Sequence, residues 1–353
     1  MADLLDKTST SLPPLTSPHP HRHSGPLPTA KAVRRYWITF SVLVLLAVFF
    51  AAGLLAWDNP MPPGSRGFWL IAKLRASSLL AMLIVALCQS IATVSFQTVT
   101  NNRIITPSIM GFEALYRVVQ TGAVFFLGIA GITFFTGLGQ FALQVALMVG
   151  LSVALYGWLL SGKLGNIQIM LLVGIIIGSG LGAVATFMQR MLTPSEFDVL
   201  TARLFGSMTN ADMDYMPLAI PLVLVAGTVL VARSKRMNIV ALGKDTTTNL
   251  GINHRREVMV TLFFVSILMA VSTALVGPLT FLGFLVATLA YQLADTYDHR
   301  YIYPMSFLAG FVILSGAYFI MKHLFYAQGV VGIIIEAVGG ITFLVFILRK
   351  GRL

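Results

Sequence analysis

The sequence has few charged residues for its length. Asp, Glu, Lys and Arg make up 10% of its 353 residues, whereas 57% are hydrophobic. A soluble domain carries about 25% charged residues, so this composition cannot cover a surface that faces water. At roughly 20 residues for each spanning helix, the apolar residues suffice for about ten membrane crossings. The composition therefore predicts an all-α, polytopic membrane protein and leaves little sequence for a soluble catalytic domain.

Cysteine and acidic residues are also scarce. The single cysteine, Cys88, excludes an internal disulfide, and its apolar neighbours predict a buried thiol. The 13 acidic residues are outnumbered by 24 Lys and Arg, which gives a net charge of +11. In a soluble protein such an excess would suggest binding to nucleic acid. In a membrane protein, cations that accumulate on the cytoplasmic side explain it better, so we expect no nucleic-acid partner.

Several motifs of catalysis are missing from the sequence. It has no Gly-x4-Gly-Lys-Ser/Thr segment, so the chain is not expected to hydrolyse a nucleotide. It also lacks His-Glu-x-x-His and Gly-x-Ser-x-Gly, and its six histidines are scattered, which disfavours an enzyme embedded in the membrane. An ion-coupled secondary transporter is one class that the composition allows. That class would need carboxylates or broken helices inside the membrane.

Two acidic residues, Glu113 and Glu336, fall in or beside predicted spans. Glu113 precedes Arg117 by four residues on one helical face, so an internal ion pair and a role in transport both remain open. Glu336 is a lone carboxyl group in the outer half of the last span. It either lines a wet cavity or is protonated, and the sequence does not distinguish the two.

The chain divides into a tail and a membrane domain. Residues 1–35 are rich in Ser, Thr, Pro and His and predict a disordered cytoplasmic tail, whereas residues 36–353 predict the transmembrane domain. The first apolar run is too long for a signal peptide. Ten spans are predicted, at 36–57, 76–97, 108–128, 138–160, 167–190, 216–232, 257–276, 280–294, 303–321 and 332–348. Gly277-Pro278 should end the seventh span and separate it from the eighth.

The distribution of basic residues predicts the orientation. With a cytoplasmic N-terminus, 17 of the 24 Lys and Arg fall on the cytoplasmic side and six on the outer side. The positive-inside rule therefore predicts a multi-pass protein with both termini in the cytoplasm.

Two polar segments between predicted spans each predict a short helix outside the membrane. The cytoplasmic connection predicts a short helix at about 239–252, with Asp245 near its start and Gly251 after its end. This helix is either a docking element or a solvated connector. On the outer side, Pro194-Ser195-Glu196-Phe197 and the following residues up to Ser207 predict a capped short helix that could roof a pathway.

The segment 96–116 resembles the FecCD family, the permease subunits of bacterial ABC importers for ferric siderophores, haem and cobalamin. Gln97, Asn102 and Pro107 meet the family spacing of Gln, Asn five later and Pro ten later. The resemblance extends over roughly residues 70–350. Residues expected to form the family motif or the translocation pathway are Gln97, Asn102, Arg103, Pro107, Gly111, Glu113, Phe205, Gly206, Ser207 and Glu336.

The resemblance implies a fold and a set of partners. The fold is that of type II ABC importer permeases, with ten helices, and the chain lies in the bacterial inner (plasma) membrane. The coupling loop that contacts the ATPase would comprise Ala241, Leu242, Gly243, Leu250 and Gly251. Two separate ATP-binding subunits would use ATP and Mg, a periplasmic or lipid-anchored binding protein would deliver a ferric siderophore, and this chain would bind no cofactor or metal of its own.

The outer-side motif of the family, Arg-x-Pro-Arg, is only half present. Arg75 matches its first arginine, but Ser78 stands at the second position. Arg75, with Lys322 nearby in the topology, is expected to dock the binding protein. The missing contacts favour a heterodimer with a second, homologous permease over a homodimer.

Overall fold

The computed structural model describes residues 25–134, 137–161, 167–205, 208, 211, 213–325 and 331–350. All regular structure in these residues is helical. The helices are α1 (Ala30–Ala56), α2 (Arg66–Val99), α3 (Phe112–Phe134), α4 (Leu138–Ser161), α5 (Ile167–Arg190), α6 (Pro194–Leu204), α7 (Met216–Ala232), α8 (Ser234–Val240), α9 (Lys244–Asn249), α10 (His254–Val276), α11 (Leu282–Ala294), α12 (His299–His323) and α13 (Val331–Lys350). Short 3-10 turns occupy Ser108–Met110 and Met213–Tyr215.

Each of the ten predicted spans falls on one of the longer helices. Within the described ranges, seven helices are long and apolar enough to cross a membrane: α1, α2, α4, α5, α7, α10 and α12. The apolar helix α11 and the apolar part of α13 are shorter. Helix α3 contains a break at Gly128, where φ is 64°. The all-α prediction is confirmed, and the predicted spans follow the order of these helices.

Helix α2 is the centre of the bundle. Its 34 residues extend for about 51 Å, and α7, α10, α11 and α12 pack around it. Two pairs of polar side chains bond to each other at these contacts. Gln89 donates to the Ser272 hydroxyl of α10 at 3.2 Å, and the hydroxyls of Ser95 and Tyr303 are 2.9 Å apart. Such pairing matters because an unpartnered polar group in hydrocarbon costs several kcal/mol.

The first helix starts earlier than predicted. Helix α1 begins at Ala30 rather than Tyr36, because the Thr29 hydroxyl accepts a hydrogen bond from Ala32 N at 3.1 Å and caps the helix. The Thr296 hydroxyl also donates to the Pro26 carbonyl oxygen at 2.6 Å. Residues 30–35 of the predicted tail are therefore helical, whereas the His-rich residues 19–23 lie outside the described residues.

The predicted break between α10 and α11 is present. Gly277 has φ 85°, and Pro278 follows it, so the helix ends at Val276. Helix α11 has 13 residues and a length of about 20 Å, less than the roughly 30 Å of the hydrocarbon core. Helix α11 alone is therefore too short to cross the hydrocarbon core.

Candidate functional site

The predicted cytoplasmic helix consists of two short helices, α8 and α9, joined by Ala241, Leu242 and Gly243. Gly243 has φ 95° and Gly251 has φ 79°, so each end of α9 has a left-handed residue that favours glycine. The backbone leaves the helical conformation at both glycines, which is why one continuous helix does not form. The predicted stop at Gly251 is confirmed. We call residues 241–251 the docking segment.

The docking segment has one anchored side and one exposed side. Thr247 is fully buried, and its hydroxyl is within hydrogen-bond distance of two carbonyl oxygens, Gly243 O at 2.6 Å and Ile239 O at 3.1 Å. The large side chains of Leu242 and Leu250 are 60% and 58% exposed at the two ends of α9. Two exposed leucines on an anchored polar segment suit burial against another protein.

Helix α8 is bound to α10 by an ion-pair cluster. Glu257 has a buried side chain and accepts from both Arg233 and Arg236, the latter at 2.9 Å. A buried carboxylate with two guanidinium partners fixes the geometry of the loop start. The docking segment therefore follows a firmly held helix.

The motif residues after α2 form a tight return loop. Gln97 Nε2 donates to the Arg103 carbonyl oxygen at 2.8 Å, and Asn102 Oδ1 accepts from Ile104 N at 2.9 Å. The Arg103 guanidinium lies 4.6 Å from the centre of the Tyr291 ring of α11. Pro107 then starts the turn that ends at Gly111. These contacts send the chain back into the membrane.

Gly111 closes this loop against α5. Its φ is 103°, and a Cβ atom there would lie 3.1 Å from Gly178 Cα. The two backbones thus approach closely where α3 begins. A larger residue at either position would separate α3 from α5.

Two carboxyl groups meet at the broken helix. Glu113 is 3% exposed and accepts a hydrogen bond from the Thr280 hydroxyl. Glu336 of α13 accepts from Phe281 N at 3.3 Å. Thr280 and Phe281 immediately precede α11, so both carboxyl groups lie at its N-terminus, where the helix dipole favours negative charge. We call Glu113, Thr280, Phe281 and Glu336 the carboxyl cluster.

The possible ion pair between Glu113 and Arg117 is not among the ion pairs within 4.0 Å of the described residues. Arg117 is exposed at the surface of this single chain. Glu336 is half-buried, and Oε1 of Glu113 is buried without a hydrogen-bond partner in the described part. An exposed arginine within an apolar helix requires a wet or protein-covered surface, because lipid would penalise its charge.

The two predicted outer cations come together. Arg75 and Lys322 line one cavity of about 210 Å³ with Leu54, Ser78 and Tyr318 among its other walls. Arg75 also donates to the carbonyl oxygens of Trp57 at 2.7 Å and Asp58 at 2.9 Å, so it caps the C-terminal end of α1. Sequence reasoning did not reveal this second role.

The predicted outer helix is α6. Thr193 N donates to Glu196 Oε2 at 2.9 Å, as in a capping box, and Tyr116 of α3 donates to the Arg203 carbonyl oxygen at 3.3 Å. Hydrogen bonds from Thr193 lower the pKa of Glu196. Phe205 is 53% exposed after the helix end, whereas Gly206 and Ser207 lie outside the described residues.

The sequence pattern of the FecCD transport family matches residues 39–349. The chain belongs to the FecCD transport family. The resemblance carried by residues 96–116 is therefore confirmed, and the matched region begins after the predicted tail. The return loop and the docking segment both lie within this FecCD region.

Curated FecCD relatives match almost end to end. The petrobactin import system permease protein FatC of Bacillus anthracis is 53% identical over 94% of this chain and 94% of its own length. The petrobactin import system permease protein YclO of Bacillus subtilis strain 168 is 33% identical over 88% of this chain and 95% of its own. The ferric enterobactin transport system permease protein FepD of Escherichia coli K12 is 26% identical over 91% of this chain and 98% of its own length.

A solved structure confirms the fold class of this FecCD chain. A metal-chelate type ABC transporter in an inward-facing conformation superposes with a TM-score of 0.77, at 20% sequence identity, over 89% of this chain and 99% of the other. The FecCD chain therefore has the fold of an ABC importer permease. Sequence reasoning did not select four residues that form polar contacts between or within these helices: Thr98, Asn238, Thr247 and Thr280. The predicted break at Gly277-Pro278 was the one signal that pointed toward Thr280.

Proposed function

We propose that this chain is a permease subunit of an ABC importer that moves a ferric siderophore into the bacterial cytoplasm. The identity of 53% with a petrobactin import permease over 94% of both chains carries this proposal. Petrobactin or a chelate of related chemistry is then the first cargo to test. The chain itself has no nucleotide-binding motif, so two separate ATPase subunits would supply the energy.

The docking segment provides the surface for an ATPase subunit. Its exposed Leu242 and Leu250 flank α9, while buried Thr247 holds α9 to the bundle. A hydrophobic anchor on a rigid element is what an interface of this kind requires. ATP-driven closure of the ATPases would displace this segment and switch the bundle between outward and inward access.

The outer cavity provides the surface for the binding protein. Arg75 and Lys322 present two cations at one opening, which suits acidic side chains of a docked partner. Such exposed charges mainly set the rate and register of docking. Ser78 leaves this surface with fewer cations than the family motif, and a second, homologous permease in a heterodimer would supply the rest.

The carboxyl cluster and Arg117 place polar groups at membrane depth. Glu336 is half-buried and Arg117 is exposed, so both suit a path at the interface with the second permease. A broken helix with carboxyl groups also occurs in ion-coupled carriers. This observation keeps a secondary transporter as the second candidate.

Reconstitution of the full importer tests the proposal. The chain would be purified with its second permease, ATPase and binding protein, placed in liposomes and supplied with radioactive iron as ferric petrobactin. We expect uptake that requires both ATP and the binding protein and disappears when the P-loop lysine of the ATPase is replaced by alanine. Uptake driven by a proton gradient without ATP would instead establish the secondary transporter.

A further inference from the structure

A buried polar network joins three helices at the cytoplasmic end of the bundle. Asn238 of α8 accepts at Oδ1 from His299 N at 3.0 Å, and the same oxygen lies 2.6 Å from His299 Nδ1. Its Nδ2 donates to Asp298 Oδ1 at 3.0 Å. On the other side of the ring, His299 Nε2 is 2.7 Å from the Thr98 hydroxyl of α2.

The partners of Asn238 determine the direction of these hydrogen bonds. A backbone N–H must face the amide oxygen, and the Asp298 carboxylate must face the amide NH2 group, so the orientation of the Asn238 side chain is fixed. His299 Nδ1 therefore carries the proton that it donates to Asn238. In the neutral ring Nε2 can only accept, so the Thr98 hydroxyl shares its single proton between His299 Nε2 at 2.7 Å and the Val94 carbonyl oxygen of its own helix at 2.8 Å. The chain of contacts runs without a break from α8 through α12 to α2.

Water has little access to this network. Thr98 is 8% exposed, Asp298 is 2% exposed and His299 is 3% exposed. Burial opposes ionisation of Asp298, but hydrogen bonds from Arg300 and Asn238 more than offset it and lower the pKa of Asp298 to about 2. The carboxylate therefore stays charged, and each hydrogen bond is stronger than it would be in water.

The network begins beside the docking segment. Asn238 precedes Ile239, whose carbonyl oxygen lies 3.1 Å from the hydroxyl of buried Thr247 in α9. A displacement of α9 is therefore passed to α8 over one hydrogen bond and one peptide unit. At its far end the network reaches Thr98, near the C-terminus of the central helix α2.

We propose that Asn238, His299 and Thr98 are positioning residues that transmit movement of the docking segment to α2. The inference rests on the proposed function, since it assigns a task within the ATP-driven cycle. The ion pairs of Glu257 hold α8 to α10 and form a separate connection. Helix α8 also packs against α2, but the hydrogen-bonded link from α8 to this central helix passes through the imidazole of His299.

Paired substitutions at Thr98 test this role. Thr98→Val removes the hydroxyl and keeps the shape, whereas Thr98→Ser keeps the hydroxyl. Thr100→Val is the matched control, because the Thr100 hydroxyl is similarly buried and, like that of Thr98, bonds to a carbonyl oxygen of α2, Phe96 O at 2.8 Å, but has no hydrogen bond to another helix among the described contacts. The reconstituted importer is assayed for ATP hydrolysed per ferric petrobactin molecule imported.

We expect Thr98→Val to raise this ratio about fivefold, the change in an equilibrium constant that loss of one hydrogen bond typically brings. Thr98→Ser and Thr100→Val should keep the wild-type ratio. Equal ratios for Thr98→Val and Thr100→Val would overturn the proposal, since a general packing defect or the connection to α10 would then suffice. Failure of Thr98→Ser to restore the ratio would also overturn it.

A second variant tests the same link in case the Thr98→Val importer assembles poorly. Asn238→Ala breaks the same link from the α8 side, with exposed Lys235→Ala on the same helix as its control. We expect Asn238→Ala to raise the ratio while the ATPase still co-purifies. Loss of the ATPase from both Thr98→Val and Asn238→Ala would mean that these residues build the interface, and the proposal would fail. The wild-type complex reports separately on the proposed function, because it alone shows whether ATP drives chelate uptake.

Discussion

Arg75 illustrates how one side chain can have two tasks. Its two terminal nitrogens donate to the carbonyl oxygens of Trp57 and Asp58, just after the end of α1, and its side chain lines the outer cavity with Lys322. A cation at the C-terminal end of a helix also interacts favourably with the helix dipole. If the proposed docking role holds, stability and docking both depend on this residue, and different substitutions should separate them.

We expect Arg75→Lys to keep docking but lower stability. Lysine retains the charge but cannot reproduce the planar fork that reaches two carbonyl groups, so the loss is about 1–2 kcal/mol. Arg75→Gln should lower stability by a similar amount and should also weaken the affinity for the binding protein. Thermal unfolding in detergent measures the first effect, and titration with binding protein at two salt concentrations measures the second. Unchanged docking of Arg75→Gln would remove Arg75 from the docking surface.

Residue-level prediction from the sequence succeeded for backbone signals and failed for distant partners. Gly251 was assigned as a helix stop from its residue type, and its φ of 79° agrees. Glu113 was given Arg117 as its possible partner, because local spacing can suggest a neighbour on the same helix. Its hydrogen-bond donor is Thr280, which is 167 positions away. Tertiary packing across the helix break decided that contact.

At the scale of the element, the glycines of α5 divide into two groups. Gly174 and Gly178 face the Met110–Gly111 turn, where a Cβ at Gly178 would lie 2.9 Å from Gly111 Cα. At Gly180 and Gly182 a Cβ would meet no atom within 4 Å in the described structure. Within the described structure of this chain, close helix packing therefore holds for the first pair. The glycines recur along α5, but the Met110–Gly111 turn is short and reaches only Gly174 and Gly178.

Gly178→Ala should destabilise the protein while Gly182→Ala should not. The added methyl group at residue 178 presses on backbone atoms that cannot rotate away, and such overpacking costs about 1–3 kcal/mol. At residue 182 alanine has free space and a better helix propensity. The midpoint of thermal unfolding of each purified variant provides the comparison. A similar loss in both variants would show that α5 is sensitive to any substitution on this face.

At the scale of the whole molecule, the order of helices was predictable because hydropathy and breakers act locally. Each of the ten predicted spans falls on a helix, and the break after Val276 is where Gly277-Pro278 placed it. The predicted cytoplasmic helix was less accurate, since two left-handed glycines divide the segment. The networks of the carboxyl cluster and of His299 could not be predicted, because they unite helices far apart in sequence.

The charge distribution predicts that both termini are cytoplasmic. This follows from the 17 of 24 Lys and Arg that fall on that side. A green fluorescent protein fused after Leu353 should therefore fluoresce, whereas alkaline phosphatase inserted in α6 should be active. Both reporters also need a control fusion within the docking segment, where we expect fluorescence and no phosphatase activity. Active phosphatase at the C-terminus would reverse the topology.

Cys88 lies in the central helix and is fully buried. Because the sequence contains no other cysteine, the unmodified chain is already a background for thiol labelling. Probes attached to cysteines introduced at exposed Asp245 in α9 and exposed Ser195 in α6 would report distances across the membrane without any prior removal of native thiols. Pulsed spin-label measurements through the ATP cycle could then follow the motion of the docking segment in an otherwise native protein.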